Sequence, residues 1–170
     1  FTQAYAASTV CSPSRAAIMT GLHPARLKLT NFLVGNRTEE DSPLLPAPWT
    51  TYLASKEITL AQRLKALGYQ TGMIGKWHLG AKAPYLPTSY GFDEYLGLPY
   101  SNDMWPVGYD GKPITDTGSK KSKYPTLQLL DGFNPVMPIS NLEDQSKLTT
   151  IYTERAVSFI GKNKNKTFFL

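Results

Sequence analysis

Residues 11–21, Cys-Ser-Pro-Ser-Arg-Ala-Ala-Ile-Met-Thr-Gly, contain the first residue types in the chain that could do chemistry. Ser12 is a common N-cap residue and Pro13 suits the first helical position, so the pattern predicts a short helix with Cys11 just before it. Free backbone N–H groups at a helix N-terminus favour an anion. Arg15 adds a planar, permanently charged guanidinium in the first turn. The stretch therefore combines a sulfur nucleophile with groups that favour an anion.

A second pair of reactive residue types, Lys76 and His78, lies in the sequence Gly-Lys-Trp-His-Leu-Gly at residues 75–80. The apolar stretch before it, residues 69–74, predicts a strand, and ligands bind beyond the carboxyl ends of strands in open α/β sheets. Side chains two positions apart on an extended chain face the same side. The pattern therefore predicts that Lys76 and His78 share one cleft. Alone, it fits equally well a surface lysine and a hydrogen-bonded structural histidine.

Both stretches resemble the sequence signatures of the type I sulfatases, namely Cys-x-Pro-Ser-Arg followed by Thr-Gly, and Gly-Lys-Trp-His. The resemblance implies that Cys11 is converted to formylglycine, that the hydrate of this aldehyde attacks the sulfur of a sulfate ester, and that it also ligates a metal ion. It implies further catalytic roles for three residues. Arg15 would orient the hydrate, Lys76 would bind the sulfate oxygens, and His78 would remove the proton that lets sulfate leave.

Residues 99–103, Pro-Tyr-Ser-Asn-Asp, resemble a stretch in the arylsulfatase A-like and N-acetylgalactosamine-6-sulfatase-like members of that family. The resemblance implies that Ser101 binds substrate, although a serine in this context also fits a turn residue bonded to its own backbone. The family uses one divalent cation, Ca²⁺, which prefers oxygen ligands. We expect its carboxylate ligands to lie outside this chain, and we interpret Asp93 and Asp103 as loop and turn carboxylates.

A predicted helix, a glycine and an apolar strand follow one another along the chain, and this order is typical of the α/β class. The resemblance implies an alkaline-phosphatase-like catalytic domain with a mixed, mostly parallel central sheet flanked by helices. We interpret residues 1–170 as part of a single sulfatase catalytic domain that is truncated at both ends.

Several elements are predicted from local patterns. A threonine-capped helix is expected at 59–67, with its three leucines on one face, and an irregular segment is expected at 131–138. A long amphipathic helix is predicted over 141–160, and Gly161 is predicted to end it. Residues 167–170 are predicted to form a core strand.

Amino-acid composition argues against several classes of function. The 170-residue chain has 41% hydrophobic residues and no apolar run near the roughly 20 residues of a membrane span. Its single cysteine excludes a disulfide within the chain. Lysines cluster at 120–123 and 162–166, and we interpret both clusters as solvated loops because neither interleaves aromatic residues as a nucleic-acid binder would. By resemblance, the location is extracytoplasmic: lysosomal, secreted or periplasmic.

Two alternatives remain open from the sequence. A phosphonate or phosphate monoester hydrolase of the same superfamily would present a similar signature, because phosphate and sulfate are both tetrahedral anions. A non-catalytic α/β module that binds anions or glycans would keep Cys11 unmodified. For the sulfatase interpretation, the expected partners are a sulfated small molecule or glycan and a formylglycine-generating or equivalent maturation enzyme. Aryl esters, sulfated lipids and sulfated sugars all fit.

Overall fold

A computed structural model describes residues 2–33, 43–44 and 47–170. In this part of the chain the helices are α1 (Cys11–Thr20), α2 (Pro24–Leu27), α3 (Leu60–Ala66) and α4 (Leu142–Asn163), the strands are β1 (Gln70–Ile74), β2 (Glu94–Gly97), β3 (Leu127–Asp131), β4 (Asn134–Ile139) and β5 (Phe168–Phe169), and Pro87–Tyr90 and Lys120–Lys123 are short 3₁₀ helices.

The strands form one mixed sheet in the order β4-β3-β2-β1-β5. Strands β5, β1 and β2 are parallel to one another, whereas β3 and β4 form an antiparallel hairpin on the β2 side. The mixed α/β architecture predicted from the sequence is confirmed. The strand predicted at 167–170 is confirmed as β5, which pairs with the beginning of β1.

The chain segments that follow β1 and β2 remain hydrogen bonded to each other beyond the ends of these strands. The Trp77 N–H donates to the Leu98 carbonyl at 2.9 Å, and the His78 N–H donates to the Pro99 carbonyl at 3.1 Å. Because parallel strands end at the same edge of a sheet, this pairing brings the segment after β1 beside the segment that leads to Ser101.

Helix α1 begins one residue earlier than the sequence predicts. Cys11 is its first residue and Val10 is its N-cap, without a side-chain capping hydrogen bond. The prediction that Ser12 caps the helix is therefore wrong. The buried Ser12 hydroxyl instead accepts a hydrogen bond from the Leu33 N–H at 3.0 Å, and this tertiary contact takes the place of the local one. At the other end, Gly21 has a left-handed backbone, which ends the helix.

Helix α3 shows how a tertiary contact overrides a local pattern. Thr59 caps the helix as predicted, and its hydroxyl also donates to the Tyr90 carbonyl at 2.6 Å. The predicted apolar face is wrong: Leu60 is 39% exposed and Leu67 is 75% exposed, whereas Ala61 is fully buried. The contact between Thr59 and Tyr90 fixes the start of the helix so that Ala61, the smaller side chain, faces the core.

The segment 131–138, predicted to be irregular, contains the turn of the β3–β4 hairpin and most of β4, so that prediction is wrong. Pro135 and Pro138 argue against a strand in the middle of a sheet. Strand β4 lies at the edge of the described sheet, where a residue without an N–H donor is tolerated.

Helix α4 begins after the N-cap residue Asn141, close to the predicted start, but the prediction that Gly161 ends it is wrong. The helix continues to the buried residue Asn163, whose side-chain amide donates to the Phe159 carbonyl at 2.9 Å. This packing offsets the roughly 1 kcal/mol that an interior glycine costs a helix.

The buried apolar side chains form two groups, one on each side of the strand pair that positions the candidate site. The first lies among α1, α3 and the segment after β1, and its most buried members include Ala16, Leu29, Leu53, Ala61, Trp77, Leu79, Tyr90 and Tyr95. The second lies between β2, β3, β4 and α4, and its members include Leu96, Leu98, Trp105, Leu127, Leu129, Ile139 and Leu148.

Gly97 is required where β2 passes the end of β1. A Cβ atom on Gly97 would lie 1.8 Å from the Gly75 carbonyl oxygen, a backbone atom that precedes the Lys76–His78 segment. We expect Gly97→Ala to lower the free energy of unfolding by about 3 kcal/mol or more, because the backbone of both strands must move. Chemical denaturation measures this change. Gly161→Ala is the matched control, because a Cβ there meets no heavy atom within 4 Å, and it should stabilise the protein by up to about 1 kcal/mol. Equal stability of the two variants would contradict the account.

Candidate active site

The indole of Trp77 fixes the main chain between Lys76 and His78. It is fully buried, its Nε1–H donates to the Tyr85 carbonyl at 2.8 Å, and its ring lies 5.5 Å from the ring of Tyr90 between centroids. Trp77 is therefore held by the core, and its fixed main chain positions its two neighbours, Lys76 and His78.

The backbone at His78 is left-handed, with φ of 61°. The argument that Lys76 and His78 face one side of an extended chain is therefore wrong in its geometry, because the chain is not extended at His78. The two residues nevertheless lie close enough for the charge of Lys76 to act on the imidazole of His78.

The imidazole of His78 is 1% exposed and is held in one tautomer. Its Nε2 lies 3.1 Å from the Leu33 carbonyl oxygen, so we assign the ring hydrogen to Nε2, which donates to that oxygen. Nδ1 is buried and has no hydrogen-bond partner among the residues that the structure describes. The lone pair of Nδ1 is therefore available as a base or as a hydrogen-bond acceptor.

Burial lowers the pKa of His78 to about 4, and the positive charges of Lys76 and Arg15 act in the same direction. The hydrogen bond to the Leu33 carbonyl and the negative charge of Asp103 oppose this shift. The imidazole is consequently neutral at pH 7, and Nδ1 keeps its lone pair down to about pH 4.

Arg15 attaches helix α1 to the segment after β1. Its Nε donates to the Trp77 carbonyl at 2.6 Å, and one of its terminal nitrogens donates to the Lys76 carbonyl. Burial lowers the pKa of Arg15 and the charge of Cys11 opposes that change, which indicates that the guanidinium also lies near Cys11. A guanidinium remains charged in proteins, so Arg15 brings a fixed positive charge to this position.

We expect Arg15→Lys to be costly, because one ammonium group cannot reproduce the two directed hydrogen bonds of the guanidinium to successive carbonyl groups. Loss of a charged hydrogen bond lowers the free energy of unfolding by about 1.5–3 kcal/mol. Chemical denaturation measures this change, and any activity that depends on this cavity should fall with it, since Lys76 and His78 lose their support. Arg26→Lys, at an exposed arginine of α2, is the control. Wild-type stability and kinetics in Arg15→Lys would contradict this role.

A cavity of about 300 Å³ brings together three of the predicted site residues. Its lining consists of Val10, Cys11, Phe32, His78, Ser101, Asp103, Met104 and Tyr124. Cys11 is half-buried at the beginning of α1. Lys76 and Arg15 are not among these lining residues, but the charges of both act on the lining residue His78.

A larger cavity, of about 440 Å³, lies between β1, β5 and α4. Its described lining residues are mostly apolar and include no cysteine, histidine, lysine or arginine. The smaller cavity is the better candidate for chemistry, because it combines a nucleophile with a neutral base and neighbouring positive charge.

Sequence reasoning missed two residues of this cavity that matter to its chemistry. Asp103, interpreted as a loop carboxylate, lines the cavity two positions after Ser101, and their position in one motif was the available signal. Tyr124 reaches the cavity from the segment after the lysine cluster at 120–123, and nothing in its local sequence indicates this.

Comparisons with known proteins identify the family of this chain. The family model described as Sulfatase matches residues 1–170. Arylsulfatase G of Canis lupus familiaris is 38% identical over 173 residues, which cover 94% of this chain and 30% of that protein. N-acetylgalactosamine-6-sulfatase of Mus musculus is 30% identical over 172 residues, which cover 100% of this chain and 31% of that protein.

A solved structure gives the same result for the fold. The PsFucS1 sulfatase from Pseudoalteromonas sp. is similar with a TM-score of 0.72 and 28% sequence identity, over 96% of this chain and 33% of that chain. This chain therefore belongs to the sulfatase family, whose fold is alkaline-phosphatase-like. It spans about a third of the length of these relatives.

Proposed function

We propose that the full-length protein hydrolyses sulfate monoesters, with the side chain of residue 11 as the nucleophile after conversion of Cys11 to formylglycine. The observation that carries the proposal is the meeting of Cys11, His78 and Ser101 in one cavity, with two cationic residues beside it. Membership of the sulfatase family supports the reaction class.

The first step is attack on sulfur. One hydroxyl of the hydrated aldehyde at residue 11 loses its proton and forms a bond to sulfur, the bond from sulfur to the ester oxygen breaks, and that oxygen takes up a proton and leaves as the alcohol. Lys76 binds the sulfate oxygens and Ser101 donates a hydrogen bond to the substrate. The guanidinium of Arg15 orients the hydrate and stabilises its negative charge, because a fixed charge that is already in place stabilises a transition state effectively.

The second step releases sulfate. Nδ1 of His78 removes the proton of the remaining hydroxyl at residue 11, the bond from carbon to the sulfated oxygen breaks, and the aldehyde returns. The neutral state of His78 at pH 7 and its unpartnered Nδ1 support this assignment. An unmodified hydroxyl could perform the first step but has no second hydroxyl from which to eliminate sulfate.

A single calcium ion is part of the proposal, to balance the negative charge of the sulfate group. The described residues contain no group of three or more histidine, cysteine, aspartate or glutamate side chains that could hold a metal ion. Cys11 in its modified form is a proposed ligand, and Asp103 is the one carboxylate among the described residues that line the cavity. These residues do not make a complete calcium site, so no step above depends on the ion.

The proposed substrate is a sulfated small molecule or glycan, and a relative named for N-acetylgalactosamine-6-sulfate chemistry favours a sugar. The proposed maturation partner is a formylglycine-generating or equivalent enzyme. No helix among residues 2–33, 43–44 and 47–170 is both long and apolar enough to cross a membrane. By analogy with the arylsulfatase relatives, we propose an extracytoplasmic location.

Steady-state hydrolysis by the full-length protein tests the proposed function. The protein, made in a host that can form formylglycine, is given 4-nitrophenyl sulfate and 4-nitrophenyl phosphate at equal concentration. We expect a higher kcat/KM for the sulfate ester. Preference for the phosphate ester would favour the phosphate or phosphonate hydrolase alternative, and no hydrolysis of either ester would favour a binding module.

A further inference from the structure

The lysine cluster at 120–123 lies beside the cavity and is not simply a solvated loop. The ammonium group of Lys121 donates to the Asp103 carbonyl at 3.1 Å and to the Val107 carbonyl at 3.0 Å. Because Asp103 lines the cavity, these bonds hold the short 3₁₀ helix against the cavity wall. Tyr124, the residue after that helix, lines the cavity directly.

Among the described residues, no acidic side chain forms an ion pair with Lys121 or Lys123. Lys121 is bonded to neutral carbonyl groups, and its ammonium lies 4.7 Å from the centroid of the Tyr109 ring. The side chain of Lys123 is exposed, and its ammonium has no ion-pair or hydrogen-bond partner in the part of the chain that the structure describes. Tyr109 is 89% exposed, so its ring is accessible beside the charge of Lys121, and Lys123 directly precedes the cavity-lining residue Tyr124.

We propose that Tyr109, Lys121 and Lys123, here called the basic rim, bind a further anionic sugar residue of an oligosaccharide substrate whose sulfate ester occupies the cavity. An exposed aromatic ring offers a flat apolar surface for a sugar ring, and the lysines attract its sulfate or carboxylate group. This proposal deepens the proposed function and rests on it for the position of the scissile ester. The substrate class is therefore a glycan with more than one anionic group.

The rim is held in place from two sides, which favours a formed subsite over a loose charged loop. Lys121 fixes it to the cavity wall, and the Gln145 side chain of α4 donates to the Asn102 carbonyl at 2.7 Å in the same wall. The side-chain amide of Asn102 in turn donates a hydrogen bond to Oε1 of Gln145 at 3.0 Å. The wall between Ser101 and Met104 thus has support from both the 3₁₀ helix and the first turns of α4.

Direct binding tests this inference in the full-length protein, with a heparin-derived tetrasaccharide as the multiply anionic probe and isothermal titration calorimetry as the readout. We expect Lys123→Ala and Tyr109→Ala each to weaken binding about fivefold, the effect of one exposed contact of this kind. The wild-type affinity should also fall as salt rises, more steeply than that of Lys123→Ala. Lys121 is left unchanged because it also supports Asp103.

Lys164→Ala is the matched control, because it removes the same charge beyond the far end of α4. That helix has 22 residues, so Lys164 lies about 30 Å from the cavity wall at 1.5 Å per residue. Its affinity should stay within twofold of the wild type. Absence of binding by the wild type, equal effects of Lys123→Ala and Lys164→Ala, or no effect of either rim variant would overturn the basic rim as a subsite.

The proposed subsite and the proposed function can be refuted independently of each other. A protein that hydrolyses 4-nitrophenyl sulfate but binds the tetrasaccharide independently of Lys123 and Tyr109 keeps its proposed activity and loses the subsite. A protein that binds through the rim but hydrolyses no ester keeps the anionic-glycan site and loses the proposed activity.

Discussion

Cys11→Ala should abolish the turnover of a sulfate ester by the full-length protein, with a loss of at least about 10³-fold, typical of removing a covalent nucleophile. Its fold should persist. Cys11 is half-buried at the first position of α1, and alanine is the residue most compatible with a helix. Steady-state kinetics and thermal unfolding, measured on the same preparation, separate the two effects.

Ile18→Ala provides the control for Cys11→Ala. Ile18 lies on the same helix but is 70% exposed, so its truncation should leave both turnover and unfolding close to the wild type. Normal activity in Cys11→Ala would rule out residue 11 as the nucleophile, whatever the behaviour of the control.

His78→Asn should separate the two half-reactions. Asparagine tolerates the left-handed backbone at this position and has no base, and because its side chain is shorter than the reach of Nε2, the bond to the Leu33 carbonyl is lost. If Nδ1 of His78 acts only in the release of sulfate, the variant should transfer sulfur once and then stall. A stopped-flow experiment should show a burst of alcohol equal to the enzyme concentration, with later turnover reduced by about 10²–10⁴-fold.

Mass spectrometry of the peptide containing residue 11 checks the stalled state of His78→Asn, because the bound sulfuryl group adds to the mass of that peptide. His23→Asn is the control: His23 is the other histidine of the chain, and its exposed side chain caps the short helix α2. A slow burst without the adduct would make His78 a residue of the first step. An unchanged rate would make it a structural histidine.

The sequence predicts the site better than it predicts the details that hold the site together. Cys11, His78 and Ser101 belong to short motifs, and the rule that ligands bind at the carboxyl ends of parallel strands places two of those motifs side by side. The hydroxyl of Ser12 has a good local role as an N-cap, so the sequence predicts that role. Its actual partner, the Leu33 N–H, lies 21 positions away, and local patterns carry no information about such a contact.

The Leu33 main chain gives a second example of a tertiary contact that local sequence patterns do not predict. Its N–H donates to Ser12 and its carbonyl accepts from His78, so one residue of an irregular segment connects the start of α1 to the proposed base. The tautomer of His78 follows from this contact. No property of leucine indicates it, because both bonds are made by main-chain atoms.

Edge position explains another difference between sequence and structure. Two prolines in six residues predict an irregular chain, yet the segment forms β4 because its neighbour β3 supplies pairing on one side only. The basic rim could not be predicted from local sequence either. The lysines of 120–123 and the ring of Tyr109 are separated in sequence, so the combination of aromatic ring and charge arises only when the chain folds.

The residues just before 34–42, which lie outside the described part of the chain, contribute to the cavity without belonging to any of the motifs. Phe32 lines the cavity, and the carbonyl of the next residue, Leu33, binds His78.

The chemical state of residue 11 tests the account most directly. The full-length protein is purified from a host that forms formylglycine, digested, and the peptide that contains residue 11 is analysed by tandem mass spectrometry. We predict that residue 11 carries an aldehyde, with the cysteine sulfur replaced by oxygen and two hydrogens lost, in a preparation that hydrolyses 4-nitrophenyl sulfate. An intact Cys11 thiol in a fully active preparation would contradict the central claim.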